Sequence, residues 1–208
     1  MYTPPAFRED DPAVLRAIMR EARLATLVTA TSEGLVATPL PLFLDPDEGE
    51  LGTIYGHLAR ANRQWTLAPA GKALAIFSGP DAYVSPSFYP SKQEHGKVVP
   101  TWNYAAVHAY GPVEFFEEEA RLRDAVTRLT DLYEHPRSDP WAVTDAPERF
   151  IDAQLRGIVG VRLPIARIEG KRKMSQNRPA ADREGVVAGL GASESETDRR
   201  VAEMVSRF

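Results

Sequence analysis

Apolar positions change their period several times along this chain. Val14, Leu15, Ile18, Met19 and Ala22 recur at helical spacing behind Asp10-Asp11-Pro12, an acidic cap with a first-turn proline, and predict a helix ending near Arg23. From Leu24 to Ala30 and from Leu35 to Leu44 the residues are aliphatic, β-branched or threonine, and Ser32-Glu33-Gly34 between them has hairpin turn chemistry. Leu51 to Gly56 reads as a third strand and Ala59 to Leu67 as a short helix. Lys72 to Phe77 reads as a strand closed by Ser78-Gly79-Pro80, and Ala82 to Ser85 as another short one.

The charged stretch from Ser91 to Lys97 reads as a mobile loop. A long strand is expected from Tyr104 to Phe116, where Gly111-Pro112 implies a bulge, a bend or a sheet edge. Glu117-Glu118-Glu119 opens a helix with the sign its dipole prefers, and Leu122, Ala125, Val126, Leu129 and Leu132 form its apolar stripe. Pro147 to Leu155 predicts another helix, Ile158 to Ile168 a strand, and the tail two helices broken at Gly189-Leu190-Gly191. In the first half, strands outnumber helices and do not alternate with them. That pattern favours an α+β chain on an antiparallel barrel with peripheral helices over a doubly wound parallel sheet.

Composition narrows the function. The 208 residues are 43% hydrophobic, enough for a sizeable core, and the net charge of −4 argues against a protein that mainly coats phosphate backbones. No cysteine is present, which excludes disulfides, thiolate metal sites and cysteine nucleophiles. The first ten residues lack the pattern of a secretory signal and no apolar run is long enough to span a bilayer, so the expected home is the cytoplasm.

Candidate chemistry gathers in three places. Lys171-Arg172-Lys173-Met174-Ser175-Gln176-Asn177-Arg178 places four cations, a hydroxyl and two amides in eight residues without a carboxylate, which reads as an anion site. The bland alternative is a solvated basic strand end, which leaves Ser175, Gln176 and Asn177 unexplained. His57-Leu58-Ala59-Arg60-Ala61-Asn62 falls where a predicted strand enters a predicted helix, so first-turn amides and Arg60 could face a phosphate; otherwise these are solvated helix residues. Pro100-Thr101-Trp102-Asn103-Tyr104 could line a ring system, or simply be packing. The histidines at 57, 95, 108 and 135 show no paired metal spacing, and no G-x-S-x-G, P-loop or G-x-G-x-x-G pattern occurs.

With Met1-Tyr2-x-Pro4-x-x-Phe7, His57 to Trp65, Ser78 to Tyr89, Val99-Pro-Thr-Trp-Asn-Tyr104 and Lys173-Met-Ser-Gln-Asn-Arg178 in order, the chain resembles the PaiB-like FMN-binding negative transcriptional regulators. The resemblance implies a split β-barrel related to pyridoxamine-phosphate oxidases, with residues 1–178 as the flavin-binding domain and 179–208 as a helical extension packed on it. It also implies FMN as cofactor in a homodimer. On it, the expected cofactor contacts are His57, Arg60, Ala61, Asn62, Trp102, Asn103, Lys173, Ser175, Gln176, Asn177 and Arg178. Arg63 departs from the proline expected in the family's Ala-Asn-Pro-Gln-Trp run.

Direct DNA contact finds little support, because the second tail helix opens with Glu194, Glu196 and Asp198, where a reading head would need neutral or basic groups. A flavin-dependent oxidoreductase of the same barrel class is the competing reading, with His57 and Tyr104 as proton-transfer candidates, and no catalytic residue is assigned.

Overall fold

The computed structural model describes residues 1–22 and 24–208. Its elements in chain order are β1 (Arg8–Glu9), α1 (Pro12–Glu21), β2 (Ala25–Thr31), β3 (Gly34–Leu40), β4 (Leu42–Asp45), β5 (Thr53–Ala59), β6 (Ala73–Val84), α2 (Ser91–His95), β7 (Thr101–Gly111), β8 (Glu114–Phe116), α3 (Glu119–Glu134), α4 (Glu148–Leu155), β9 (Ile158–Pro164), β10 (Arg167–Lys173), α5 (Ala180–Gly191) and α6 (Glu196–Val205). The expected end of the first helix at Arg23 lies outside the described residues. The chain forms two compact units from interleaved stretches. Met1–Ile18, Ser78–Val107 and Glu169–Phe208 form one, Met19–Phe77 and His108–Ile168 the other.

In the second unit, β2 and β3 form the expected hairpin, paired from Ala25↔Leu40 to Thr31↔Gly34, and β2 also pairs with the start of β6. Alternate residues of β2 are buried, as a half-buried strand requires. A further antiparallel sheet runs β4-β5-β9-β8. Ile54, Leu58, Val159, Val161 and Leu163 are buried in it. Phe116, Leu122, Ala125, Val143, Ile151 and Leu155 make a second apolar cluster under α3 and α4, with Tyr55 packed against it.

Several boundaries differ from the sequence expectations. The single strand expected over 35–44 is two, because Pro41 interrupts the ladder and β4 pairs with β5 instead of β2. The helix expected over 59–67 is a strand end followed by a single 3-10 turn, Arg63–Thr66. Full pairing of β5 with β9, out to Ala59↔Ile158, overrides the helix propensity of the alanines. Ser78-Gly79-Pro80 does not close a strand: β6 runs through it, and a Cβ at Gly79 would stand 3.0 Å from that of Ala105. Gly79 therefore serves close backbone packing and not a turn.

The first unit brings β1, β10, the start of β7 and the end of β6 side by side, with α5 and α6 beside them. Ser91–His95, expected as a loop, is the short helix α2. It is tied to α5 by Asp182, a buried carboxylate that accepts the Ser91 hydroxyl at 2.8 Å and the Ser91 amide at 3.2 Å. The break between the tail helices falls over 192–195, because Leu190 is buried and keeps α5 intact through Gly191. Ser195 caps α6 by accepting the Asp198 amide.

Candidate functional site

In the first unit the basic segment leaves β10 and turns sharply into α5. Side chains alternate along β10, so Lys171 and Lys173 share a face while Arg172 takes the other, ion-paired to Glu9 at 2.6 Å. Lys173 donates to the Trp102 carbonyl at 2.8 Å and to the Thr101 hydroxyl. Lys171 is buried, donates to the Tyr2 carbonyl at 3.1 Å and stands 5.0 Å from the Tyr104 ring. The Arg178 guanidinium lies 4.7 Å over the Tyr89 ring. Burial first, then the like charges of Lys171 and Arg178, push the Lys173 ammonium below its ordinary value. Among the described residues, Lys171, Lys173 and Arg178 have no carboxylate at ion-pair distance.

The turn that carries Arg178 is built by the short polar side chains. Ser175 is held in the left-handed region at φ 58, which a non-glycine residue adopts only when its surroundings enforce it. Buried Asn103 supplies that enforcement: its Nδ2 donates to the Ser175 hydroxyl at 2.9 Å, and that hydroxyl lies 3.3 Å from Asn103 Oδ1. Gln176 staples the other side, accepting the Met174 amide and donating to the Arg172 carbonyl, each at 2.6 Å. Asn177 is exposed at the tip. Trp102 is also exposed, its indole meeting Tyr83 edge to face at 5.9 Å.

The remaining expected contacts lie in the second unit. Arg60 donates to the Arg156 carbonyl at 2.7 Å and the Ile158 carbonyl at 3.2 Å, pairs with Glu117, and sits 5.8 Å from the Trp65 ring. Its guanidinium is thus engaged on three sides by its own unit. Asn62 accepts the Gln64 amide and donates to Thr38 Oγ1, both at 2.9 Å, while buried Gln64 holds the Leu27 carbonyl and the Thr29 hydroxyl. Ala61 is exposed. His57 shares a face of β5 with Tyr55, the face that packs toward α3, and burial depresses its pKa. Its Nδ1 is buried without a hydrogen-bond partner among the described residues. The structure brings the basic segment together with Trp102 and Asn103, and gives 57–62 a surrounding of its own. Sequence reading left Lys171 out of the expected contacts; the i, i+2 spacing of Lys171 and Lys173 on one strand was the available signal.

His57 makes a testable contribution to pH dependence. Its folded pKa lies below the unfolded value of 6.5, so as pH falls the unfolded chain takes up the proton first. This residue therefore costs stability below about pH 6.5 and nothing well above it. The urea midpoint is expected to drop from about pH 7 to about pH 5, and His57→Gln should flatten that drop. Glu48, held low mainly by the Tyr55 hydroxyl and then by Arg162, titrates below this window. An equal drop in the variant would show that another group is responsible.

Solved structures share this architecture. The FAD and heme binding protein from Mycobacterium smegmatis superposes with a TM-score of 0.59 over 88% of this chain and 80% of that chain, at 16% identity. The antiparallel sheets with peripheral helices are an α+β split β-barrel.

Over residues 1–167 the chain matches the family model described as "Putative FMN-binding domain", and it belongs to that family. It is similar to the Protease synthase and sporulation protein PAI 2 of Bacillus subtilis, 32% identical over 206 residues, covering 99% of this chain and 96% of the relative. An uncharacterized protein of Aspergillus fumigatus is 34% identical over 251 residues, with the same coverage. The cofactor of this chain is FMN, and the chain is an FMN-binding protein resembling the PaiB-type regulators. Among the described residues no helix is long and apolar enough to cross a membrane.

Proposed function

We propose that this protein is a cytoplasmic homodimeric regulator of gene expression whose FMN phosphate rests on Lys171, Lys173 and Arg178. The observation that carries the binding half is the set of three neighbouring cations with no carboxylate among them. A phosphate dianion supplies what that set lacks, with charge-assisted hydrogen bonds. It would also relieve the mutual repulsion that lowers the Lys173 pKa. On this reading Asn103, Ser175 and Gln176 hold the turn and so fix where Lys173 and Arg178 stand. Asn177 is the turn residue left to meet the polyol or the ring edge. When bound, FMN supplies redox chemistry at its flat ring.

The regulatory half rests on family membership and on the likeness to the Bacillus subtilis protein, whose name ties it to protease synthesis and sporulation. Direct reading of DNA by the tail is disfavoured by Glu196 and Asp198 in the first turn of α6, where they answer the helix dipole.

Titration of the untagged protein with FMN is expected to give a yellow, saturable complex, and light scattering to give the mass of a dimer. A protein that stays colourless in excess FMN would overturn the binding half. In a gel shift at physiological salt with scrambled competitor, no sequence-selective retardation by the tail is expected; selective retardation abolished by tail substitutions would reverse that assignment.

A further inference from the structure

A groove of about 630 Å³ lies within the first unit; Lys171, Lys173 and Arg178 are not in its lining, and Trp102 is the one expected cofactor contact that is. Its floor is aromatic: Tyr83 and Trp102 meet edge to face at 5.9 Å, with Phe88 beside them. Tyr83 and Trp102 are 49% and 52% exposed, so two large rings present surface to whatever enters. The walls carry Asp81 from β6 and Asp198 from α6, and among the described residues no lysine, arginine or histidine lines the groove. Asp81 has no ion-pair partner among the described residues. Asp198 accepts the Ser193 hydroxyl through Oδ2 at 2.7 Å, which leaves Oδ1 available. The positive end of α6 does not offset these acids, because Ser195 caps it and Glu196 and Asp198 already face its dipole.

A concave space of this size suits a small organic ligand, and its two kinds of wall agree on the ligand's charge. Ring faces attract cations through their quadrupole, and free carboxylates attract them by charge. An anion such as a flavin phosphate would meet two carboxylates and no counter-charge here. We infer that this groove binds an organic cation, a substituted ammonium on a compact apolar body, with Trp102 and Tyr83 against the methyl or methylene shell and Asp81 and Asp198 as counter-charges. Trp102 then serves two places, its carbonyl holding Lys173 and its indole forming the groove floor.

Choline and its neutral carbon isostere 3,3-dimethylbutanol form the probe pair, read by tryptophan fluorescence and by calorimetry. Choline should bind saturably and at least roughly tenfold more tightly than the isostere. Asp81→Asn should weaken choline roughly tenfold and leave the isostere unchanged. Trp102→Ala should abolish the response, and Lys173→Ala should leave it intact, which separates this groove from the cofactor reading. Asp81 is exposed, so its variant is expected to fold; the two probes on the unmodified protein test the idea even if a variant does not. Equal affinity for both probes, or no saturable choline binding, overturns the inference.

Discussion

Replacing Lys173 and Arg178 together by alanine is expected to lower FMN affinity by about 10²–10⁴-fold and the thermal midpoint by no more than Arg60→Ala does. Each cation is expected to give the phosphate a charge-assisted hydrogen bond of about 1.5–3 kcal/mol, and each 1.4 kcal/mol is about a factor of ten in Kd. Some stability goes with them, since Lys173 bonds the Trp102 carbonyl and the Thr101 hydroxyl and Arg178 lies over Tyr89, but the turn itself is held by Asn103 and Gln176. Flavin fluorescence titration measures the first quantity and a thermal melt the second. Arg60→Ala is the informative control. It removes an ion pair with Glu117 and bonds to two backbone carbonyls, so it should lower stability by about 1–3 kcal/mol while FMN affinity holds. Unchanged FMN binding in the double variant, or its loss in Arg60→Ala with an unaltered melt, would move the cofactor to the other unit.

Gly111→Ala is expected to be strongly destabilising for a single added methyl. A Cβ at position 111 would lie 1.9 Å from the Pro164 carbonyl oxygen and 3.0 Å from Leu163 Cδ2, so the backbone of β7 or β9 must move. Overpacking of this kind costs about 3 kcal/mol or more, roughly 6–12 °C in Tm for a chain of this length. The neighbouring ladder should fail with it, because Ala166 donates to the Tyr110 carbonyl at 2.8 Å across the same crossing. Differential scanning calorimetry checks the shift; a melt within a degree or two of the unmodified protein would mean the strands separate there at little cost. The sequence reading of Gly111-Pro112 as a bend or edge is met by the end of β7 at Gly111 and the restart at Glu114.

What could be read from the sequence was the part decided by local pattern. The apolar stripe of α3 and the turn Ser32-Glu33-Gly34 carry enough information in a few residues to specify their own structure. What could not be read was decided by distant partners. Ala59 extends β5 because Ile158 pairs with it, and β6 passes through Gly79-Pro80 because Ala105 approaches there. The site shows the same division. The basic segment with interspersed amides reads as an anion site from its composition, while its Ser and Gln look inward to the turn, since Asn103 and the carbonyl of Arg172 claim them. Arg60 reads as a phosphate ligand by type, and the fold adds the Arg156 and Ile158 carbonyls as its partners.

The stapled turn also bears on how such a site changes over evolutionary time. Ser175 and Gln176 are committed to shaping the loop, and Lys173 and Arg178 to its charge, so substitution at any of the four disturbs geometry or electrostatics. Exposed Asn177 has neither duty. It is the position where substitution changes the surface the loop presents while Asn103 and Gln176 keep its shape.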